Sequence, residues 1–169
     1  NNYFLSLSLF FTVIFIYNSF SLPGHIFFIA AAGYFYGLYI GFLISIISLV
    51  FGSLFFFIFC KFIFKKYFSN IFKKYTNNIN KYISDSTLEY LIIFRILPGP
   101  PLLIQNLLLS ILNVNKYFFI ISTFLGFTPL VFLIVSFGSH LNKFENLKKI
   151  SLSNFLTFEF LIFLTILIF

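Results

Sequence analysis

The sequence predicts an all-α integral membrane protein of about four transmembrane helices, joined by two short, interrupted apolar segments. Three observations lead there. Of 169 residues, 60% are hydrophobic and only 9% charged, with a mean hydropathy of +1.04. A bilayer core about 30 Å thick takes roughly 20 apolar residues per spanning helix, and runs suited to that length lie at 3–21, 37–60, 116–138 and 152–169. Prolines and glycines cluster at two places between these runs, Leu22-Pro23-Gly24 and Leu97-Pro98-Gly99-Pro100-Pro101. The whole chain, 1–169, reads as one membrane domain.

The 3–21 run has neither a positive leading region nor a small-residue cleavage site, so it reads as a span and not a signal peptide. The next segment, 22–36, opens on Pro-Gly and is too short to cross alone. Into the 37–60 span runs a stripe of small residues: Gly33, Gly37, Gly41 and Ser45, followed by Ser48 and Gly52. In lipid, helices associate through close backbone approach. The stripe is therefore expected to be a helix-packing face, with Thr123 and Gly126 of the later span as partners.

Six of the eleven basic residues fall in 61–81. At helical period, Phe64, Phe68, Ile71, Phe72 and Tyr75 share one side, and Lys65, Lys66, Lys73 and Lys74 lie away from it. Residues 61–85 thus read as a basic amphipathic loop at the headgroups, or as an ordinary basic loop. Either reading places the segment on the cytoplasmic side.

Residues 86–114 begin with Ser86-Thr87-Leu88-Glu89, a capping-box pattern. The helix it starts passes through Arg95, the chain's sole arginine, and must stop at the prolines, which remove donors and disfavour helical backbone before them. The arms on either side, 88–97 and 102–114, are about 15 Å and 20 Å long, so neither crosses alone. A re-entrant hairpin and a broken span both fit. The positive-inside rule favours the span, because it returns Lys143, Lys148 and Lys149 to the side of the basic loop. Either geometry puts backbone near the midplane, where it is tolerated only under cover of protein or water. The break is therefore expected to line a cavity. Paired Pro/Gly-interrupted segments in two halves point to a transport site at a repeat interface.

Other chemistry is not visible. Cys60 has no disulfide partner, and His25 and His140 lack metal-ligand neighbours, so no metal and no cofactor are expected. Without a phosphate loop or a nucleophile motif, the chain does not read as an enzyme. The 31 Phe and 10 Tyr follow from AT-rich codons without any aromatic ligand box. The net charge of +7 is assigned to anionic lipid headgroups, not nucleic acid.

Arg95 is the leading site residue. An intramembrane charge usually faces a cavity or substrate, and a guanidinium grips phosphate bidentately; snorkelling, or pairing with Glu89, would be its structural role. Pro98, Gly99, Pro100 and Pro101 shape the break, and Asn106 offers an amide. His25 is a candidate proton carrier, against an interfacial role. Glu159 lies in the last apolar run, Asp85 and Glu145 read as loop acids, and Pro23 and Pro129 as backbone shapers.

At these residues the chain resembles a known family. The run Arg95-x-x-Pro98-x-x-Pro101, then Asn106, then Thr123-x-x-Gly126-x-x-Pro129, resembles the signature half of the DedA superfamily, in its SNARE-associated or VTT-domain branch. The upstream Leu22-Pro23 and "AAGYFYGLYIGF" (31–42) are similar to that family's first hairpin and following helix. The likeness covers about residues 20–140. It implies two opposed re-entrant hairpins, 22–36 and 86–114, arranged as an inverted repeat around a polar pocket. It further implies transport or scrambling of phospholipids or lipid-linked phosphates, and the residues above, Arg95, Pro98, Gly99, Pro101, Asn106 and His25, are the candidates for contacting that substrate. The resemblance favours the hairpin for 86–114, and that is the expectation adopted.

Three departures stand out. The first hairpin has His25 where many relatives carry acids, Ser110 replaces a glycine after the Asn, and a second arginine is missing. They favour uncoupled scrambling, with protons kept as a candidate second substrate. The expected partners are membrane phospholipids and a second copy of the chain, and the expected location is the bacterial inner membrane. A small-solute or ion transporter using the same pocket, or a non-transporting assembly factor, are the alternatives.

Overall fold

The computed structural model describes residues 2–67, 88–97, 100–112 and 114–145, and every regular element among them is an α-helix. Helix α1 is Tyr3–Ser19, α2 His25–Tyr67, α3 Leu88–Ile96, α4 Leu102–Ile111 and α5 Lys116–Glu145. The expected basic amphipathic loop falls on α2 as far as Tyr67. Its remainder lies outside the described residues, as do the Ser86 cap, Pro98, Gly99, and the 152–169 run with Glu159.

α2 is not one rod. Gly37 has φ 76 and ψ −179, a backbone region that is essentially glycine-only because any Cβ would clash there. The chain reverses at this residue. Gly41 returns against Ala32, so closely that a Cβ on it would stand 2.7 Å from the Ala32 carbonyl oxygen. On a straight helix the two residues would be about 13 Å apart. α2 therefore consists of a short limb, 25–36, and a long limb, 38–67.

α1 runs antiparallel to the short limb. The Tyr3 and Tyr36 rings lie 6.1 Å apart at one end, where the Ser6 and Tyr36 hydroxyls are also 2.7 Å apart. At the other end the Tyr17 and Phe28 rings are 4.7 Å apart. The turn between them, 20–24, is level with Gly52, whose absent Cβ leaves room for Asn18 Cβ, Phe15 O and Ser19 N. Gly52 is about 22 Å along the long limb from Gly37, near its middle.

α5 runs antiparallel to the long limb: Phe42 meets Phe132 with ring centroids 5.9 Å apart, and Phe57 meets Phe119 at 4.3 Å. Leu91 of α3 and Leu109 of α4 share one buried cluster with Phe57 and Phe119. Leu102, at the start of α4, belongs instead to the cluster of Ile46, Leu49, Phe127 and Val131. So α3 enters from the Phe57/Phe119 end, turns near mid-height, and α4 returns to the same end. Two helical hairpins thus approach from opposite ends of a two-helix frame, and their turns come to one level.

Two stretches are long and apolar enough to cross a bilayer by length and composition, His25–Ile63 and Lys116–Leu141. The straight part of the first, 38–63, is about 39 Å long. Large apolar rings face outward: Phe4 is 81% exposed, Phe27 79% and Tyr39 81%. Asn18, Ser45, Ser48, Ser53, Asn106 and Thr123 are fully buried. In water this distribution would leave an aggregating surface. In lipid it is the expected one, because apolar exteriors cost nothing there and small polar residues help hold helices together. The protein is a membrane protein.

Candidate functional site

Prolines end α3 and delay α4, and the break sets polar groups at mid-height. Arg95 occupies the last turn of α3, 2% exposed. It can lie so close to α5 only because residue 126 is glycine: a Cβ there would collide with Arg95 Cβ. Its guanidinium lies between two rings, 4.8 Å from the centroid of Phe119 and 5.4 Å from that of Phe127. A cation over ring faces is held by their quadrupoles.

Arg95 Nη1 donates to Gln105 Oε1 at 3.4 Å, a long bond, and Nε and Nη2 have no hydrogen-bond partner. Among the described residues no carboxylate pairs with Arg95, and Glu89 lies exposed near the start of α3. Snorkelling and a Glu89 pair therefore do not describe its observed state. The guanidinium sits inside the protein with most of its fork of donors unspent.

Gln105 and Asn106, adjacent on α4, splay in different directions. Gln105 Nε2 donates to the Pro100 carbonyl at 2.9 Å, covering backbone that the break leaves open. Asn106 Nδ2 donates to Ser21 Oγ at 2.9 Å, linking the second hairpin to the turn of the first. Asn106 Oδ1 has no partner. Ser21 takes a positive φ of 49, and its N–H donates to the Asn18 carbonyl at 2.9 Å. The first turn is covered in its own way: the Tyr17 hydroxyl donates to the Pro23 carbonyl at 2.6 Å. Two hydrogen-bonded groups, one of the Asn18 carbonyl, Ser21 and Asn106 and the other of the Pro100 carbonyl, Gln105 and Arg95, meet at neighbouring positions of α4 and together make a polar seam.

Of the residues expected from sequence, Arg95 and Asn106 lie in this seam, and Pro101 precedes α4. His25 opens α2 half-buried and takes no part in the hydrogen bonds of Arg95, Gln105 and Asn106. Among the small residues, Gly33 packs against the Val135 backbone and Gly41 against Ala32. Gly126 meets Arg95 and not the stripe. Gly37 differs from its expected packing role: nothing lies within 4 Å of a Cβ placed there, and its backbone conformation is what the fold uses. Asn18, Ser21, Gln105 and Gly138, which packs on Ala30, were not anticipated. The available signal was a group of polar residues within a few positions of each Leu-Pro-Gly: Asn18, Ser19 and Ser21 before the first, Gln105 and Asn106 after the second. Among the described residues no group of His, Cys, Asp and Glu could hold a metal ion.

The VTT domain family model matches residues 22–140. A protein named "Transmembrane protein 41 homolog", from Dictyostelium discoideum, is 29% identical over 171 residues, covering 99% of this chain and 51% of that protein. The chain thus spans about half the length of this curated relative, which is eukaryotic where the expected membrane was bacterial. No solved structure matches.

Proposed function

The chain belongs to the VTT-domain family, and from that premise we propose that it is a lipid scramblase, moving phospholipids or lipid-linked phosphates between leaflets. The two helical hairpins, α1 with 25–36 and α3 with α4, are re-entrant, so that 3–21 is one arm of the first hairpin in place of the span expected from its length, and their turns meet near the bilayer midplane. A phosphate head leaves one leaflet, passes along the seam between the turns, and keeps its tails in lipid. No covalent step is involved. The basic end of the frame, with Lys61 beside Phe57 and Lys116 starting α5, faces the cytoplasm, following the positive-inside rule.

The observation that carries this reading is Arg95: a buried guanidinium at mid-height with two of its three nitrogens unpartnered. Burying an unpaired charge costs several kcal/mol, which makes it an intramembrane functional group by default. Its geometry matches a phosphodiester oxygen pair. Because the guanidinium is 2% exposed, transport on this reading requires the hairpins to part.

The test is scrambling of tail-labelled fluorescent phosphatidylglycerol in proteoliposomes, read by a membrane-impermeant quencher, for wild type and Arg95→Ala. Wild type should lose fluorescence beyond the outer-leaflet fraction, and the variant should not. Equal flipping by both would release Arg95 from the role. No flipping by folded wild type, with flux of a soluble ion or solute instead, would replace lipid by a small-solute cargo.

A further inference from the structure

The two hairpins use one local design twice. Gly52 of α2 accommodates the Phe15 carbonyl and the Asn18 side chain of α1. Gly126 of α5 accommodates the Ile92 carbonyl and the Arg95 side chain of α3. In each case the carbonyl and the side chain are three residues apart in the last turns of the first arm, just before a Leu-Pro-Gly. Asn18 is thus the structural counterpart of Arg95 in the other half.

Asn18 is 0% exposed, and neither its Nδ2 nor its Oδ1 has a hydrogen-bond partner. A buried carboxamide with both ends unmet is destabilising, because each group loses its bonds to water and gains none. A leucine of similar size would fill the place without that loss. Asn106 Oδ1, across the Ser21 bond, is unmet as well. The unspent capacity on this side of the seam is uncharged and includes both donors and acceptors, whereas Arg95 offers only donors.

We propose that Asn18 is a second lipid subsite, charge-neutral, that takes the uncharged hydrogen-bonding groups of a phospholipid head region, its ester carbonyls and headgroup hydroxyls. This rests on the scramblase reading and extends it. Arg95 holds the phosphate from one half, and Asn18 from the other half holds the neighbouring neutral groups as the head crosses between the turns. Phosphatidylglycerol, with a phosphodiester beside two hydroxyls and two esters, presents both kinds of group.

The experiment compares wild type, Arg95→Ala, Asn18→Leu and Asn18→Ser, with the tail-labelled phosphatidylglycerol assay for flipping. Thermal unfolding in detergent, followed by circular dichroism, reports stability. Asn18→Leu should slow flipping about tenfold, the size of a lost hydrogen bond of the stronger kind, while melting at or above the wild-type temperature. Asn18→Ser keeps a hydroxyl and should flip within about threefold of wild type. Unchanged flipping by Asn18→Leu, with wild type active and Arg95→Ala inactive, overturns the subsite and leaves the scramblase reading intact. Lowered melting of Asn18→Leu and of Asn18→Ser, with flipping falling in proportion, also overturns it, because Asn18 would then be a structural residue bound through water. No flipping by folded wild type removes the scramblase reading and the subsite with it.

Discussion

Gly37 offers a sharp test of how this fold is made. Consider Ala, Ser and Leu placed in turn at Gly37 and at Gly41. At Gly37, φ 76 and ψ −179 put an L-residue in a region that costs about 1–3 kcal/mol. Nothing lies within 4 Å of the added Cβ, so the cost comes from the backbone and should be nearly the same for all three. At Gly41 the backbone is helical and the space is closed. A Cβ would stand 2.7 Å from Ala32 O, 2.8 Å from Ala32 C and 3.0 Å from Gly33 N. Ordinary carbon–oxygen contact is about 3.3 Å, so the limbs must part by about 0.6 Å for Ala and further for Leu. Overpacking of that kind costs about 1–3 kcal/mol, and Ala recovers about 1 kcal/mol of helix propensity. Gly41→Ala should therefore cost up to about 2 kcal/mol and Gly41→Leu clearly more. Equilibrium unfolding by sodium dodecyl sulfate in mixed micelles, followed by circular dichroism, gives both series. A cost at Gly37 that climbs with side-chain volume, as at Gly41, would refute the chain reversal and restore a packing role.

Three further expectations use other parts of the structure. The chain has no tryptophan, so single Phe20→Trp and Leu97→Trp reporters, both at exposed turn positions, should be quenched best by lipids brominated deep in the acyl chain. Tyr39→Trp and Tyr117→Trp should respond to shallow bromines, and equal depths for Phe20→Trp and Tyr39→Trp would contradict turns at the midplane. Gln105→Leu uncovers the Pro100 carbonyl and frees Arg95 Nη1, so it should lose about 1–3 kcal/mol of stability and slow flipping; unchanged unfolding would show that the bond contributes nothing. Ser21→Ala and Asn106→Ala should couple in a double-mutant cycle by about 0.5–1.5 kcal/mol, and strict additivity would deny the link between hairpins.

Much of the frame can be read from the sequence, because hydropathy, proline and glycine act locally. The stop after Arg95, the close approach of Gly33 and the isolated arginine all follow from residue type. The role of Gly37 does not. A glycine inside a small-residue stripe looks the same whether it packs or turns, and only φ separates the two. Nor does sequence pair α1 with the short limb, since two apolar helices can meet in many ways when lipid and protein are equally greasy. The seam was half legible: Arg95 and Asn106 follow from their chemistry near the break. Asn18, Ser21 and Gln105 matter only because long-range packing turns them toward one another, and a single polar residue on an apolar helix gives no direction.

The meeting of the two turns at one level has a consequence for how the molecule opens. Each turn carries irregular backbone that lipid cannot solvate, and each is covered from within its own hairpin, by Tyr17 on the Pro23 carbonyl and by Gln105 on the Pro100 carbonyl. Between the halves, the bond from Asn106 to Ser21 joins side chains only. On the proposed scrambling function, the halves can therefore part at that bond while both turns keep their cover. Opening is then a swing of two finished hairpins, not the unmaking of either.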